Sequence, residues 1–148
     1  MDENFSLRID QLKKKFSSLT KQDDRYTYII ELGRSLPHFP QELKTEDRII
    51  PGCQSTLYLH TTFSDGKLFF SADCDALISL GLAALLISVY SGCSPKTILL
   101  NPPAFLHELG IFASLSPSRS NGLASIYGQI KKDALLYLQI HKHTFTNS

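Results

Sequence analysis

Tryptophan is absent from this 148-residue chain, methionine occurs once, and the three cysteines include no closely spaced pair. An odd, scattered set of thiols argues against a disulfide framework and fits a reducing compartment, so a cytoplasmic location is expected. Charge of one sign is lacking as well. Fifteen basic residues against 14 acidic ones leave a formal net charge of +1, too little field to gather nucleic acid or a lipid surface. Lys13-Lys14-Lys15 and Lys131-Lys132 are short runs that read as wet helix faces. The most apolar stretch, Ala76 to Tyr90, is 15 residues long and carries Ser79 and Ser88. That is too short to span a bilayer and suits a buried helix. Met1-Asp2-Glu3-Asn4 offers neither a basic region nor an apolar core, so no secretory signal is expected there. There is no glycine-rich phosphate loop, and no carboxylate pair has a catalytic spacing.

What is present is an ordinary globular composition, 43% hydrophobic and 20% charged. One domain over residues 1–148 is expected, with a polar tail from about residue 141. A chain of this length buries roughly 70% of the surface its unfolded form exposes, so it needs no disulfide or metal to hold it together. Ile9, Leu12, Phe16 and Leu19 recur at helical spacing. Asp23 and Asp24 signal the start of a second helix, which Pro37 and Pro40 end. From Thr56 the period changes to two. Leu57, Leu59, Thr61 and Phe63 share one face, Ser64-Asp65-Gly66 marks a turn, and Lys67 to Ala72 read as the returning strand. Asp73 or Asp75 is expected to cap the apolar helix that follows, with Gly92 at its end. Ser94-Pro95 and Ala104 to Leu109 predict two short helices, and Ser116-Pro117 predicts a last one with a stripe of Leu123, Ile126, Tyr127, Ile130, Ala134 and Leu138. This order predicts an α+β fold, with helices packed on one face of a small antiparallel sheet.

Chemistry concentrates at Ile50-Pro51-Gly52-Cys53-Gln54-Ser55. A Pro-Gly turn just before a strand presents Cys53 at a loop tip. Cys74 lies between Asp73 and Asp75, whose charges disfavour a thiolate. Cys93 falls at the C-terminal end of a helix, where the dipole opposes one. Cys53 has no acidic residue within four positions and ranks first of the three as a nucleophile. His60 is the nearest histidine in sequence, but an extended strand carries it roughly 20 Å away. His38, His107, His141 and His143 read as surface residues. Arg119 stands at the start of the last helix, where a cation opposes the dipole. Two readings compete for it: a salt bridge to Asp73 or Asp75, or a cation beside a sulfur anion or a partner surface.

Four segments together resemble the SufE family of sulfur acceptors: Tyr26 to Gly33 leading to Leu36-Pro37; Gly52-Cys53-Gln54-Ser55; Asp73-Cys74-Asp75-Ala76 leading to Gly81-Leu82; and Leu115 to Gly122. Two departures are Tyr58 where the family has tryptophan, and Cys74 where it commonly has serine. The resemblance implies a fold similar to the IscU-type scaffold proteins. It implies that Cys53 takes persulfide sulfur from a SufS-type cysteine desulfurase, stimulates that enzyme, and passes the sulfur to a SufB-type cluster scaffold. In that reading the chain is not an independent enzyme and holds no metal or cofactor, pyridoxal phosphate belonging to the desulfurase. Gly52, Gln54, Ser55, Asp75 and Arg119 would form the loop and partner surface. The rival is an IscU- or SufU-like scaffold that binds zinc or a cluster through Cys53, Cys74, Cys93 and Asp75.

Overall fold

The computed structural model describes residues 3–146, with side chains for residues 4–140. Its centre is α3 (Leu77–Tyr90), in which every residue from 81 to 87 is buried. A helix that is apolar all round has to be wrapped, and the other elements wrap it. One wrapper is α1 (Glu3–Ser18), which turns Phe5, Leu12 and Phe16 inward. Its Arg8 guanidinium donates to the carbonyls of Val89 (3.1 Å) and Ser91 (2.6 Å), placing a cation at the negative end of α3. A second is α2 (Gln22–Arg34), which lies so close to α3 that a methyl group added at Gly33 would sit 2.9 Å from the Gly81 backbone nitrogen.

The hairpin forms where the period-two pattern places it. β1 (Leu57–Ser64) pairs antiparallel with β2 (Lys67–Cys74) in the register Leu57↔Cys74 through Ser64↔Lys67. Asp65 and Gly66 both have positive φ, 52° and 76°, as a tight two-residue hairpin turn requires. Leu57, Leu59, Leu68, Phe70 and Ala72 point from one face into the core. Phe63 joins them by stacking on Tyr137 at 5.2 Å. The opposite face carries the exposed Phe69 and a Tyr58–Phe39 stack. The expected α+β arrangement is therefore present.

The chain then forms α4 (Pro95–Leu100), whose Ser94 cap accepts from the Thr97 amide, and α5 (Phe105–Glu108). Gly110 follows at φ 70°, and α6 (Pro117–Thr146) lays Leu123, Ile126, Ile130 and Ala134 on the core. The last of these helices runs through the tail expected from about residue 141, whose side chains lie outside the described residues.

One local expectation is corrected. β2 runs two residues beyond Ala72, because Asp73 and Cys74 find ladder partners in Tyr58 and Leu57. Asp73 is thus a strand residue in an ion pair with Lys44 at 3.0 Å, not a helix cap. The cap position of α3 is Ala76, which has no side-chain hydrogen bond, so Asp75 does not cap either.

Candidate functional site

The Cys53 loop is clamped at its base. The Ile50 amide donates to the Leu57 carbonyl at 2.9 Å, and Ile49 bridges to Tyr58. Between these anchors Gly52 takes φ +88°, a conformation L side chains rarely adopt. A methyl group there would also stand 2.7 Å from Ser125 Oγ on α6. Gly52 is needed, then, for its backbone angle, and any larger residue would also have to turn the Ser125 hydroxyl aside.

The loop delivers Cys53 to a cavity of about 420 Å³ between the N-terminal ends of α3 and α6. Apolar side chains from three helices line it, among them Ile30, Leu82 and Ile126. Cys53, Gln54, Ser55 and Arg119 line it as well, so four of the residues singled out from sequence meet here. Gly122 completes the wall beside the thiol: Cys53 Sγ lies 3.9 Å from its carbonyl oxygen, and a methyl group at Gly122 would sit 3.8 Å from the sulfur. Gly122 belongs to one of the quoted segments but had no role assigned from sequence. Only the fold shows that it faces Cys53.

The thiol at rest is half-buried and packed against the core. Burial pushes its pKa above the ordinary thiol value, and the neighbouring Cys74 pushes the same way. Ranking first among three thiols therefore does not make Cys53 activated in this conformation. Because the thiolate is the reacting species, alkylation of Cys53 by iodoacetamide should be slower at neutral pH in the folded protein than in urea. Its rate should keep rising beyond the pH at which an ordinary thiol levels off. Peptide mapping of the alkylated sites against pH measures this, and equal folded and unfolded rates at pH 7 would contradict it.

The other thiols differ. Cys93 is fully buried, bonds to the Val89 carbonyl at 3.5 Å, and pairs through its backbone with Leu68. Cys74, at the end of β2, lies 3.3 Å from Ser55 Oγ and accepts from the Ala76 amide at 3.4 Å. Its pKa is raised, as expected, but burial is the leading cause, with Asp75 a lesser one. Asp75 is exposed and does not line the cavity. Among the described residues no three of His, Cys, Asp and Glu converge as a metal site. The four ligands of the scaffold reading are therefore not assembled.

Arg119 forms no ion pair among the described residues, and Asp73 is taken by Lys44. The salt-bridge reading gives way to a cation exposed at the cavity rim. No histidine among the described residues lines the cavity. His60 accepts from Arg48 Nε at 3.0 Å in a different depression, and burial and that guanidinium both lower its pKa. No helix among the described residues is long and apolar enough to cross a membrane.

The comparisons with known proteins agree with this architecture. The family model described as "SufE: Fe-S metabolism associated domain" matches residues 10–134. An uncharacterized SufE-like protein of Rhizobium meliloti is 34% identical over 131 residues, 85% of this chain and 94% of its own. The sulfur acceptor protein CsdE of Escherichia coli K12 is 36% identical over 119 residues, covering 79% of this chain and 81% of its own. A solution structure of a hypothetical protein from Thermus thermophilus has the same fold, with a TM-score of 0.75 at 24% identity over 89% of this chain and 96% of that one.

Proposed function

The chain belongs to the SufE family, and on that premise we propose that it accepts sulfur from a cysteine desulfurase on Cys53 and carries it as a persulfide. The observation that carries this reading is the position of the Cys53 thiol, on a clamped loop at the wall of a largely apolar cavity. The sulfur-acceptor name of the CsdE relative supports it.

The chemistry is thiol exchange. The Cys53 thiolate attacks the outer sulfur of a persulfide on the partner. A bond forms between Cys53 Sγ and that sulfur, the partner's S–S bond breaks, and the partner's thiolate leaves. No net oxidation or reduction occurs, so the step needs neither a metal nor a cofactor in this chain. It needs a thiolate, and the resting pocket works against one. Docking therefore has to move the loop out of its apolar seat and relieve the burial that holds the thiol protonated. Gln54 and Ser55 travel with it, and the unpaired Arg119 guanidinium is a cation within the same cavity lining for the developing sulfur anion. Back in its seat, the persulfide is shielded from soluble reductants by the same apolar walls.

In this reading the desulfurase is of the SufS type and carries the pyridoxal phosphate. Its turnover rises when Cys53 removes its sulfur, and a SufB-type scaffold in the cytoplasm receives the cargo. The decisive experiment mixes the protein with a desulfurase and free cysteine, without reductant, and maps added sulfur by mass spectrometry. The expected result is sulfur on Cys53. A bare Cys53 beside a turning-over desulfurase refutes the proposal.

A further inference from the structure

Cys74 is not needed for the transfer just described, yet it does not stand apart from it. The Leu57↔Cys74 register sets it at the foot of the Cys53 loop. Ser55 Oγ, in contact with its sulfur at 3.3 Å, belongs to that loop two residues after Cys53. Two residues of chain span at most roughly 7 Å between Cα atoms, so Cys53 stands within that reach of the serine that touches the Cys74 sulfur. The two thiols also sense each other, since charge on Cys74 raises the Cys53 pKa.

The two sulfur environments are unequal. Cys53 Sγ has a carbonyl, that of Gly122, as its hydrogen-bonding neighbour, a group that can only accept. Cys74 Sγ accepts from the Ala76 amide at the opening of α3 and has the Ser55 hydroxyl beside it, and both groups favour negative charge on this sulfur. Asp75 Oδ1, 3.7 Å away, and burial act in the opposite direction and keep the resting thiol protonated.

We propose that Cys74 is a second sulfur site, which draws the outer sulfur from a Cys53 persulfide across the contact made by Ser55. The inference rests on Cys53 being the first acceptor. The Cys74 thiolate attacks the outer sulfur, a Cys74–S bond forms, the S–S bond at Cys53 breaks, and Cys53 leaves as a thiolate. The proton given up by Cys74 ends on Cys53, so atoms and electrons balance with no added reagent. The consequence is capacity: Cys53 is returned empty and the chain holds two sulfurs.

The test follows sulfur residue by residue over time, with a desulfurase and cysteine and without reductant. In the unaltered protein sulfur should appear on Cys53 first and then on Cys74, reaching two per chain. Cys74→Ser should stop at one, with a thermal melt confirming that this variant is folded, and Cys53→Ser should leave Cys74 bare. Loaded Cys53 beside a persistently bare Cys74 overturns the second site but leaves the first acceptor standing. So does a chain with both sulfurs on Cys53, or a Cys53–Cys74 disulfide with sulfide released. Sulfur on Cys74 in the Cys53→Ser variant overturns the relay order. A bare Cys53 in the unaltered protein brings down both readings.

Discussion

Replacing Cys53 with serine is expected to abolish sulfur uptake at this position, not to slow it. The accepting step forms a sulfur–sulfur bond, and a hydroxyl at the same place cannot form one. At neutral pH a serine is also far less ionised than even the raised thiol of Cys53. The substitution should do little else. The side chain is half-buried, and serine is slightly smaller than cysteine and hydrogen-bonds better. Its hydroxyl can donate to the Gly122 carbonyl that now lies 3.9 Å from the sulfur. A stability change of about 1 kcal/mol or less is expected, and binding to a desulfurase should survive. The measurement pairs a sulfur-35 transfer assay with a thermal melt. Undiminished sulfur-35 uptake by Cys53→Ser would show that another residue is the acceptor, and a collapse of the fold with it would show that Cys53 is a packing residue instead.

How much of this was legible in the chain depends on whether a signal acts locally. The hairpin was, because alternation over residues 57–63 and the Asp65-Gly66 turn describe the same structure independently. The buried helix was, because residues 76–90 are apolar on every side. The cap assigned to Asp73 or Asp75 was not. A cap is a local preference worth about 1 kcal/mol, and the ladder partner Tyr58 competes for Asp73 through a contact no local pattern encodes. The site divides in the same way. Gly52 and Cys53 were legible from a turn motif, since the positive φ of Gly52 is a property of one residue. The Gly122 wall and the placement of Arg119 in the same cavity lining as Cys53 join segments tens of residues apart, and they exist only once α6 is packed, while the Cys74–Ser55 contact exists only once the hairpin register is set. Arg119 looked misplaced against its own helix dipole. The fold eases this by leaving the guanidinium exposed at the cavity rim, where solvent screens the dipole.

The packing of α2 against α3 rests on Gly81, and Gly81→Ala is expected to be strongly destabilising. Helix propensity alone predicts the opposite, since alanine is favoured over glycine by about 1 kcal/mol inside a helix. Here the added methyl group would stand 2.1 Å from the Ile29 carbonyl oxygen, 2.7 Å from its carbonyl carbon and 2.6 Å from its Cγ2. Two of these are backbone atoms of α2 and cannot rotate away. The helices must separate by more than 1 Å along a seam that buries Ile29, Leu82 and Leu85, which leaves voids where close packing stood. A loss of about 3 kcal/mol is expected, a large share of the roughly 5–15 kcal/mol of an ordinary domain. Gly128→Ala is the matched control, because a methyl group there meets nothing within 4 Å and α6 should gain its propensity. Urea melts of both variants decide the matter, and a Gly81→Ala protein within about 0.5 kcal/mol of the parent would refute the close approach of α2 and α3. The same displacement reaches the site, since Ile30 on α2 and the first turn of α3 both line the Cys53 cavity. Any Gly81→Ala protein that remains folded should therefore expose its thiol, and its Cys53 should alkylate faster than the parent's at neutral pH.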